Sequence, residues 1–281
     1  MISISNAFQE DFENIYFLLR KLDPRINKAK WYNIFSHPWS ERDSQYGFVL
    51  KENDIIKGFI GTIKSNRIIN NNQVSYCNIT SWIVLDEIRR YSIDLIIKCL
   101  EIHDHISVFS ANQETDLIYR KLGFSCIDNK RYVIDLKKTI PKQQNNRLKI
   151  SFESKKFKQK LNKNDYRIHI NHLQFARFCY LFAENRECFL VFRITLNKFN
   201  ERCAHIHYVS CSNFFCRYVY DFSVHFKNIL KINFLYIDCR LLGKVPQNFK
   251  IIKLPSSRYY KSPDDAIVTD NLYSEFFLLD I

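Results

Sequence analysis

The chain has 281 residues, 46% of them hydrophobic, which is enough for one large or two ordinary domains with an extensive core. The chain contains only 5 Gly and 6 Pro, a content too low for a low-complexity protein, and no apolar run is long enough to cross a bilayer. The net charge of +13 indicates an anionic partner. Because no helix-turn-helix, zinc-finger or single-strand-binding signature is present, we predict neither a nucleic-acid nor a membrane partner.

The beginning of the chain and its cysteines indicate the compartment. The acids Glu10, Asp11 and Glu13 follow the first residues closely, which is not the pattern of a signal peptide. Nine cysteines without a Cys-x-x-Cys pair are typical of reduced, mostly buried thiols. We therefore predict a cytoplasmic protein.

The first 80 residues predict two helices followed by antiparallel strands. Apolar spacing predicts a helix over residues 6–21, ended by Pro24, and a second helix over 27–35. A hairpin over 46–64, with a turn at Asn53-Asp54, leads into a strand over 74–85. The loop between these groups carries Trp39, which can either pack in a core or line a pocket.

Residues 81–124 form the segment around which the chain is organised. They predict a strand, a charged turn, a helix over 92–101, a strand over 106–110 and a helix over 114–122. The first of these helices places Ile93, Ile96, Ile97 and Leu100 on one stripe. A basic pair just ahead of its N-terminus favours phosphate, because free N–H groups and the helix dipole both attract anions.

This segment resembles three successive motifs of the GNAT N-acetyltransferase superfamily. Residues 84–94 resemble the arm that binds the coenzyme A pyrophosphate, Arg/Gln-x-x-Gly-x-Gly/Ala. Residues 110–112 and 119–124, ending in Gly123-Phe124, resemble the next two motifs, in the usual order. The chain departs from the arm at Ser92 and Asp94, which occupy its two small positions. The alternative is a surface helix preceded by a solvated arginine pair.

The resemblance implies an α/β fold with a mixed sheet, and an enzyme that transfers an acyl group from a coenzyme A thioester to an amine. Backbone N–H groups at the end of the central strand would polarise the thioester carbonyl. Tyr119 would be the general acid toward the leaving sulfur, or else a packing aromatic. The predicted cofactor-binding residues are Ile83, Val84, Leu85, Arg89, Arg90, Tyr91, Ser92, Ile93, Asn112 and Tyr119. By the same resemblance Trp39 and Trp82 would line the acceptor pocket.

The second half echoes the first. A helix over 173–183, strands over 188–197 and 203–210, a helix over 216–229 and a strand over 234–238 repeat the order of the first half. We therefore predict a GNAT domain over 1–140, a linker over 141–164 and a degenerate GNAT-like domain over 165–281. That domain lacks the arm and would shape the acceptor site. Two lobes in one chain would also permit a monomer.

One cluster in the second half offers possible metal ligands. Cys203, His205 and His207 alternate along a predicted strand and so share a face. Side chains two apart on a strand diverge from a single point, and no fourth ligand is evident. We predict no metal site, and assign His205 and His207 to contact with the substrate.

The identity of the acceptor rests on a finer resemblance. Residues 81–84 with Arg89 and Ser92 are similar to GNAT-like proteins of surface-polysaccharide biosynthesis. That similarity implies transfer of an acetyl or short hydroxyacyl group to a dTDP- or UDP-linked amino sugar. Two alternatives stay open: a GNAT enzyme acting on a protein or another small amine, and a catalytically dead binding protein in which Asp94 repels the pyrophosphate.

Overall fold

The computed structural model describes residues 1–40, 44–69, 72–138, 148–153, 157–242, 249–263 and 270–279. The chain is a mixed α/β protein that divides into two compact units. The described residues of Met1–Ile127, Ser256–Ile267 and Tyr273–Ile281 form the first unit, and those of Asp128–Pro255 and Val268–Leu272 form the second. In the described part of the chain, no helix combines the length and apolar character needed to cross a membrane.

The elements alternate between strands and helices along most of the chain. The strands are β1 (Ile2–Ala7), β2 (Gly47–Glu52), β3 (Ile55–Ile69), β4 (Asn72–Val84), β5 (His105–Ala111), β6 (Ser125–Asp135), β7 (Lys149–Ser151), β8 (Arg177–Ala183), β9 (Arg186–Leu196), β10 (Arg202–Val209), β11 (Phe234–Asp238) and β12 (Lys250–Lys261). The α-helices are α1 (Phe12–Leu22), α2 (Lys28–Tyr32), α3 (Ser92–Ile102), α4 (Gln113–Lys121), α5 (Phe157–Lys160), α6 (Lys163–His172), α7 (Ser212–Leu230) and α8 (Glu275–Leu278).

The sheet of the first unit has the order β1-β2-β3-β4-β5-β12. Strands β1 to β4 are antiparallel neighbours, whereas β4 and β5 are parallel. Parallel neighbours need a crossover connection, and α3 supplies it. The end of β12 pairs with β5 in the antiparallel sense, from Ser257 opposite Ala111 to Lys261 opposite Ile106.

Helices cover both faces of this sheet. Because side chains alternate along a strand, Val49 faces the core that holds α1 and Trp31, while Phe48 and Leu50 face the core that holds α3 and Tyr119. On α3 the buried residues are Leu95, Ile96 and Cys99. Ile93 and Ile97, predicted on the helix stripe, are exposed. Apolar residues cover more than half of the circumference of α3, so periodicity alone could not select the buried part of that surface.

The second unit repeats this plan. Its sheet has the order β6-β11-β10-β9-β8-β7, with β10 and β11 parallel around the crossover helix α7. Phe215, Phe222 and Phe226 of α7 pack into the core on one face. Only two residues, 210 and 211, separate β10 from α7, whereas seven separate β4 from α3. The second unit therefore has no room for a long turn ahead of its crossover helix.

Several sequence-based predictions of single elements were wrong. The first helix begins at Phe12 and not at residue 6, because residues 2–7 form β1. The helix expected over 173–183 is strand β8, preceded by α6. Its apolar run is buried on both faces, a pattern that does not distinguish a strand from a buried helix. Strand β12 was not foreseen at all.

The predicted linker over 141–164 coincides only in part with described residues. Residues 141–147 and 154–156 lie outside them. The remainder contains β7, which pairs with β8, and the helix α5. The assignment of 1–140 and 165–281 as functional domains stays a prediction.

Candidate functional site

A cleft opens in the first unit where β4 and β5 stop pairing. Their parallel register runs from Tyr76 opposite His105 to Ile79 opposite Val108. Beyond these residues the strands pair no further, and a cleft of about 400 Å³ lies between their carboxyl ends. It is lined by Ile79, Thr80, Ser81, Trp82, Val108, Ser110, Ala111, Asn112, Thr115 and Tyr119, and by Leu22, Asp23, Arg25, Ile26, Trp31 and Leu279. Ligands bind preferentially at such separations of parallel strands.

A β-bulge in β4 forms one wall of this cleft. Thr80 lies opposite Gly61 and Ile83 opposite Phe59, so Ser81 and Trp82 together oppose a single residue of β3. Ser81 has a φ of 54°, in the left-handed region that L-residues rarely adopt. A bulge leaves its extra residue outside the ladder, so backbone amides here can face a ligand. The sequence carries no signal for this feature, because neither Ser81 nor Trp82 favours positive φ.

The bulge changes which amides can polarise a carbonyl. The predicted donors were the N–H groups of residues 83–85. The Leu85 N–H instead donates to the Lys57 carbonyl oxygen at 2.9 Å and is not available to a ligand. Ile83 and Val84 lie in register with Phe59 and Gly58 of β3. The bulged pair Ser81 and Trp82 lines the cleft, whereas Ile83, Val84 and Leu85 are not among its lining residues.

The turn between β4 and α3 carries the predicted basic pair. A 3-10 helix, Asp86–Tyr91, leads directly into α3 at Ser92. Arg89 pairs with Asp86 at 2.9 Å, and the Arg90 guanidinium lies 4.8 Å from the centre of the Tyr91 ring. Both arginines are exposed. The Ser92 N–H donates to the Arg89 carbonyl oxygen, and no side chain caps the first turn of α3, so the positive end of the helix dipole remains attractive to an anion.

Trp82 connects the bulge to this turn. Its indole Nε1 donates a hydrogen bond to the Ser92 carbonyl oxygen at 3.2 Å. Its ring centre lies 6.3 Å from that of Tyr119. The predicted substrate-binding residue Trp82 therefore lies between the N-terminus of α3 and the predicted general acid.

Tyr119 lies on α4 and lines the cleft. Its ring packs against Phe124 at 5.2 Å and Tyr259 at 5.9 Å between centres. Burial raises the pKa of the Tyr119 phenol well above its usual value. The phenol therefore remains protonated at all ordinary pH values and can donate a proton but not accept one.

Asn112 begins the helix that carries Tyr119. Its side-chain Oδ1 accepts a hydrogen bond from the Thr115 backbone N–H at 2.9 Å, as an N-cap does. Asn112 is exposed and lines the cleft, so its predicted contact with a pantetheine arm is compatible with its capping role.

Of the predicted site residues, Trp82, Asn112 and Tyr119 line the cleft, whereas the other predicted cofactor-binding and substrate-binding residues do not: Ile83, Val84, Leu85, Arg89, Arg90, Tyr91, Ser92, Ile93, Trp39, His205 and His207. Trp39 stacks on His37 with ring centres 4.7 Å apart and meets Tyr273 edge to face. His205 and His207 belong to the second unit, where the His205 Nε2 and the Thr195 hydroxyl are 3.0 Å apart. Their roles in substrate binding stay predictions. Among the described residues, no three His, Cys, Asp or Glu side chains are grouped as metal ligands would be.

The structure adds polar residues that the sequence analysis missed. Ser110 of β5 lines the cleft, and Glu275 of α8 is completely buried behind it. Glu275 is the lone acid at the start of the apolar run 276–279, and such an isolated charge is the one sequence signal that could have identified it.

Comparison with known proteins gives matches of structure alone. No protein-family model and no curated protein sequence matches the chain. Among solved structures, a probable N-acyltransferase from Enterococcus faecalis V583 is 10% identical with a TM-score of 0.58, over 92% of this chain and 72% of that one. A GCN5-related N-acetyltransferase from Anabaena variabilis is 12% identical with a TM-score of 0.57, over 92% and 72% of the two chains.

A third solved structure is close in length to this chain. The putative acetyltransferase from Pyrococcus horikoshii is 14% identical with a TM-score of 0.54, over 97% of this chain and 93% of that one. At these identities the likeness is one of fold. The mixed sheet, the crossover helix α3 and the separation of β4 from β5 thus belong to the fold of the GCN5-related N-acetyltransferases.

Proposed function

We propose that the chain is an acyl-CoA-dependent N-acyltransferase whose active site is the cleft between β4 and β5. One observation carries the proposal: the bulge at Ser81 and Trp82 and the Tyr119 phenol line the same cleft, and Trp82 also donates a hydrogen bond to Ser92 at the N-terminus of α3. These three features supply a donor for a carbonyl oxygen, a position for a diphosphate and an acid for a leaving thiolate.

The residues at the arm fit a diphosphate. The positive end of the α3 dipole would hold it, with Arg89 and Arg90 adding positive charge. Arg89 is partly neutralised by Asp86, so Arg90 would be the stronger contributor. Asp94 is exposed in the same turn, where solvent screens its carboxylate. Bound coenzyme A thioester supplies an acyl group that an amine can attack.

The chain's own groups divide the remaining work. Amides of the bulge would stabilise negative charge that develops on the carbonyl oxygen. Tyr119 would donate its proton to the departing sulfur, since its raised pKa keeps the phenol protonated, although it also makes the phenol a weaker acid. Packing of its ring against Tyr259 and Phe124 fixes its orientation, so the proton is held at one place in the cleft.

For the acceptor we propose a nucleotide-linked amino sugar, dTDP- or UDP-linked, which receives an acetyl or short hydroxyacyl group. The net charge of +13 supports an acceptor that carries its own pyrophosphate. The resemblance of residues 81–84, with Arg89 and Ser92, to GNAT-like proteins of surface-polysaccharide biosynthesis supports it as well. The protein would then act on a small molecule in the cytoplasm, and two lobes in one chain would allow it to work as a monomer.

The test is turnover of acetyl-CoA with a panel of amines: dTDP- and UDP-amino sugars, free amino sugars and lysine-containing or amino-terminal peptides. Free coenzyme A is quantified by chromatography, because the partly exposed free cysteines Cys126, Cys211, Cys216 and Cys239 would react with a thiol reagent. Release with nucleotide-linked amino sugars supports the full proposal. Release with peptides alone would refute the acceptor class. Absence of release and of coenzyme A binding would refute the enzyme in favour of a binding protein.

A further inference from the structure

A buried carboxylate lies behind the cleft and has no role in the steps described above. Glu275 starts the short helix α8, and its side chain has no solvent exposure. A carboxylate is costly to bury without partners. Its neighbours therefore indicate what the group does.

Two polar residues, paired across β4 and β5, connect Glu275 to the sheet. Asn78 of β4 donates from its Nδ2 to the Glu275 Oε2. The Asn78 Oδ1 accepts a hydrogen bond from the Ser107 hydroxyl at 3.1 Å, which fixes the orientation of the amide. Asn78 therefore holds one carboxylate oxygen in a defined place and leaves the other for a different partner.

Within the described part of the chain, the second oxygen of Glu275 is the unsatisfied one. Among the described residues, Oε1 has no hydrogen-bond partner of standard geometry and is inaccessible to solvent. The Ser110 hydroxyl is nevertheless close enough to lower the pKa of Glu275 by hydrogen bonding. Ser110 also lines the cleft. It is thus the residue that connects the buried carboxylate with the cleft.

The charged and titratable groups around Glu275 come from two elements, β12 and α4. Arg258 of β12 lowers its pKa by charge, and the guanidinium is held by the Phe109 carbonyl oxygen and the Phe276 ring. Tyr119 of α4 is the titratable neighbour, since the charge of Glu275 helps to raise the pKa of its phenol. Burial outweighs these partners and raises the pKa of Glu275 above its usual value.

We propose that Glu275 is a positioning residue and proton acceptor for acyl transfer, acting on the acceptor amine through the Ser110 hydroxyl. This inference rests on the proposed function. As the bond between nitrogen and the acyl carbon forms and the carbon–sulfur bond breaks, the amine proton passes to the Ser110 oxygen. The hydroxyl proton of Ser110 passes to Glu275, while Tyr119 protonates the thiolate. Water in the cleft then returns a proton from Glu275 to Tyr119, so the products are an amide and a thiol.

The test compares the pH profile of turnover in the wild type and in Glu275→Gln, a substitution that preserves size. We expect wild-type kcat to rise with pH through the raised pKa of Glu275, because only the ionised carboxylate accepts a proton. In Glu275→Gln, kcat should no longer rise with pH and should be about 10²-fold lower, while KM for acetyl-CoA should stay within about twofold of the wild-type value. Ser110→Ala should lose the same rise with pH, and the double variant should be no slower than Glu275→Gln. Glu114→Gln, on the exposed start of α4, is the control and should keep the wild-type profile.

A second measurement needs no substrate. A carboxyl whose folded pKa is raised loses stability as pH rises from its unfolded value through the folded one. The urea midpoint of the wild type should therefore fall relative to that of Glu275→Gln as pH rises above about 4.5. A constant difference between the two midpoints would show that Glu275 does not titrate with a raised pKa, which would overturn the inference.

The remaining outcomes separate this inference from the proposed function. Two results would overturn the proton transfer through Ser110 and leave the proposed function intact. In both the wild type is active: either Glu275→Gln keeps the rise of kcat with pH, or it loses the same factor in kcat at every pH. If Glu275→Gln fails to fold, Ser110→Ala decides, and a wild-type profile in that variant would overturn the proton transfer. No turnover by the wild type with any amine would refute the proposed function and the proton transfer together.

Discussion

The packing of the first unit is tested most clearly by how its stability depends on pH through the buried side chain of His37. The ring is 4% exposed, stacks on Trp39 at 4.7 Å and has no hydrogen-bond partner for Nδ1 in the part of the chain that the structure describes. Desolvation lowers the pKa of His37 from 6.5 to about 3. Between pH 6.5 and pH 3 the histidine is protonated in the unfolded chain but neutral in the folded chain. The free energy of unfolding therefore falls as pH decreases from 6.5 toward 3.

The size of the effect follows from these two pKa values. At pH 7 the histidine costs about 0.2 kcal/mol of unfolding free energy, and at pH 5 about 2 kcal/mol. His37→Phe retains a ring against Trp39 and removes the titration. The variant should therefore gain about 2 kcal/mol relative to the wild type when both are moved from pH 7 to pH 5.

The assay is urea unfolding followed by tryptophan fluorescence at the two pH values. All three tryptophans, Trp31, Trp39 and Trp82, lie in the first unit, so the signal reports the unit that contains His37. Burial also lowers the pKa of His103, to about 4, but that contribution is common to both proteins and cancels in the difference. An equal wild-type-to-variant difference at pH 5 and pH 7 would refute the reasoning.

Three further substitutions have definite expected outcomes. Tyr119→Phe should lower kcat by about 10²- to 10⁴-fold with an unchanged urea midpoint, measured by coenzyme A release; full activity would exclude the phenol as the acid. Arg240→Met should cost about 3–5 kcal/mol in the unfolding free energy followed by circular dichroism, because two buried carboxylates lose their cation. Arg217→Met, which breaks an exposed ion pair, is its control and should cost less than about 1 kcal/mol; equal losses would contradict the role of burial. Gly47→Ala should lose at least about 1–3 kcal/mol, because Gly47 has a φ of 147° and an added Cβ would lie 2.0 Å from the Ile60 carbonyl oxygen; a wild-type melting temperature would show that the strand can shift.

The central crossover could be predicted from sequence because its signals are local. Strand β4, helix α3, strand β5 and helix α4 begin and end near the predicted residues, since capping, charge and apolar period agree there. The first helix and β8 were mistaken where an apolar run fits both a helix and a strand. Tertiary contacts decide such segments, and a single sequence does not contain them.

In the candidate site, too, features with local sequence signals were predicted and features that depend on tertiary contacts were not. Tyr119, Asn112 and Trp82 carry local motifs, and all three line the cleft. The bulge at Ser81 depends on register with β3, and Glu275 reaches the sheet from 197 residues beyond Asn78. Neither register nor contact between distant segments can be deduced from spacing along the chain.

A crystal structure with coenzyme A bound tests the central claim most directly. We expect the diphosphate at the N-terminus of α3 beside Arg90, and the thiol within hydrogen-bond reach of the Tyr119 hydroxyl. Coenzyme A bound away from the cleft between β4 and β5, or no binding to the folded protein, would contradict the account.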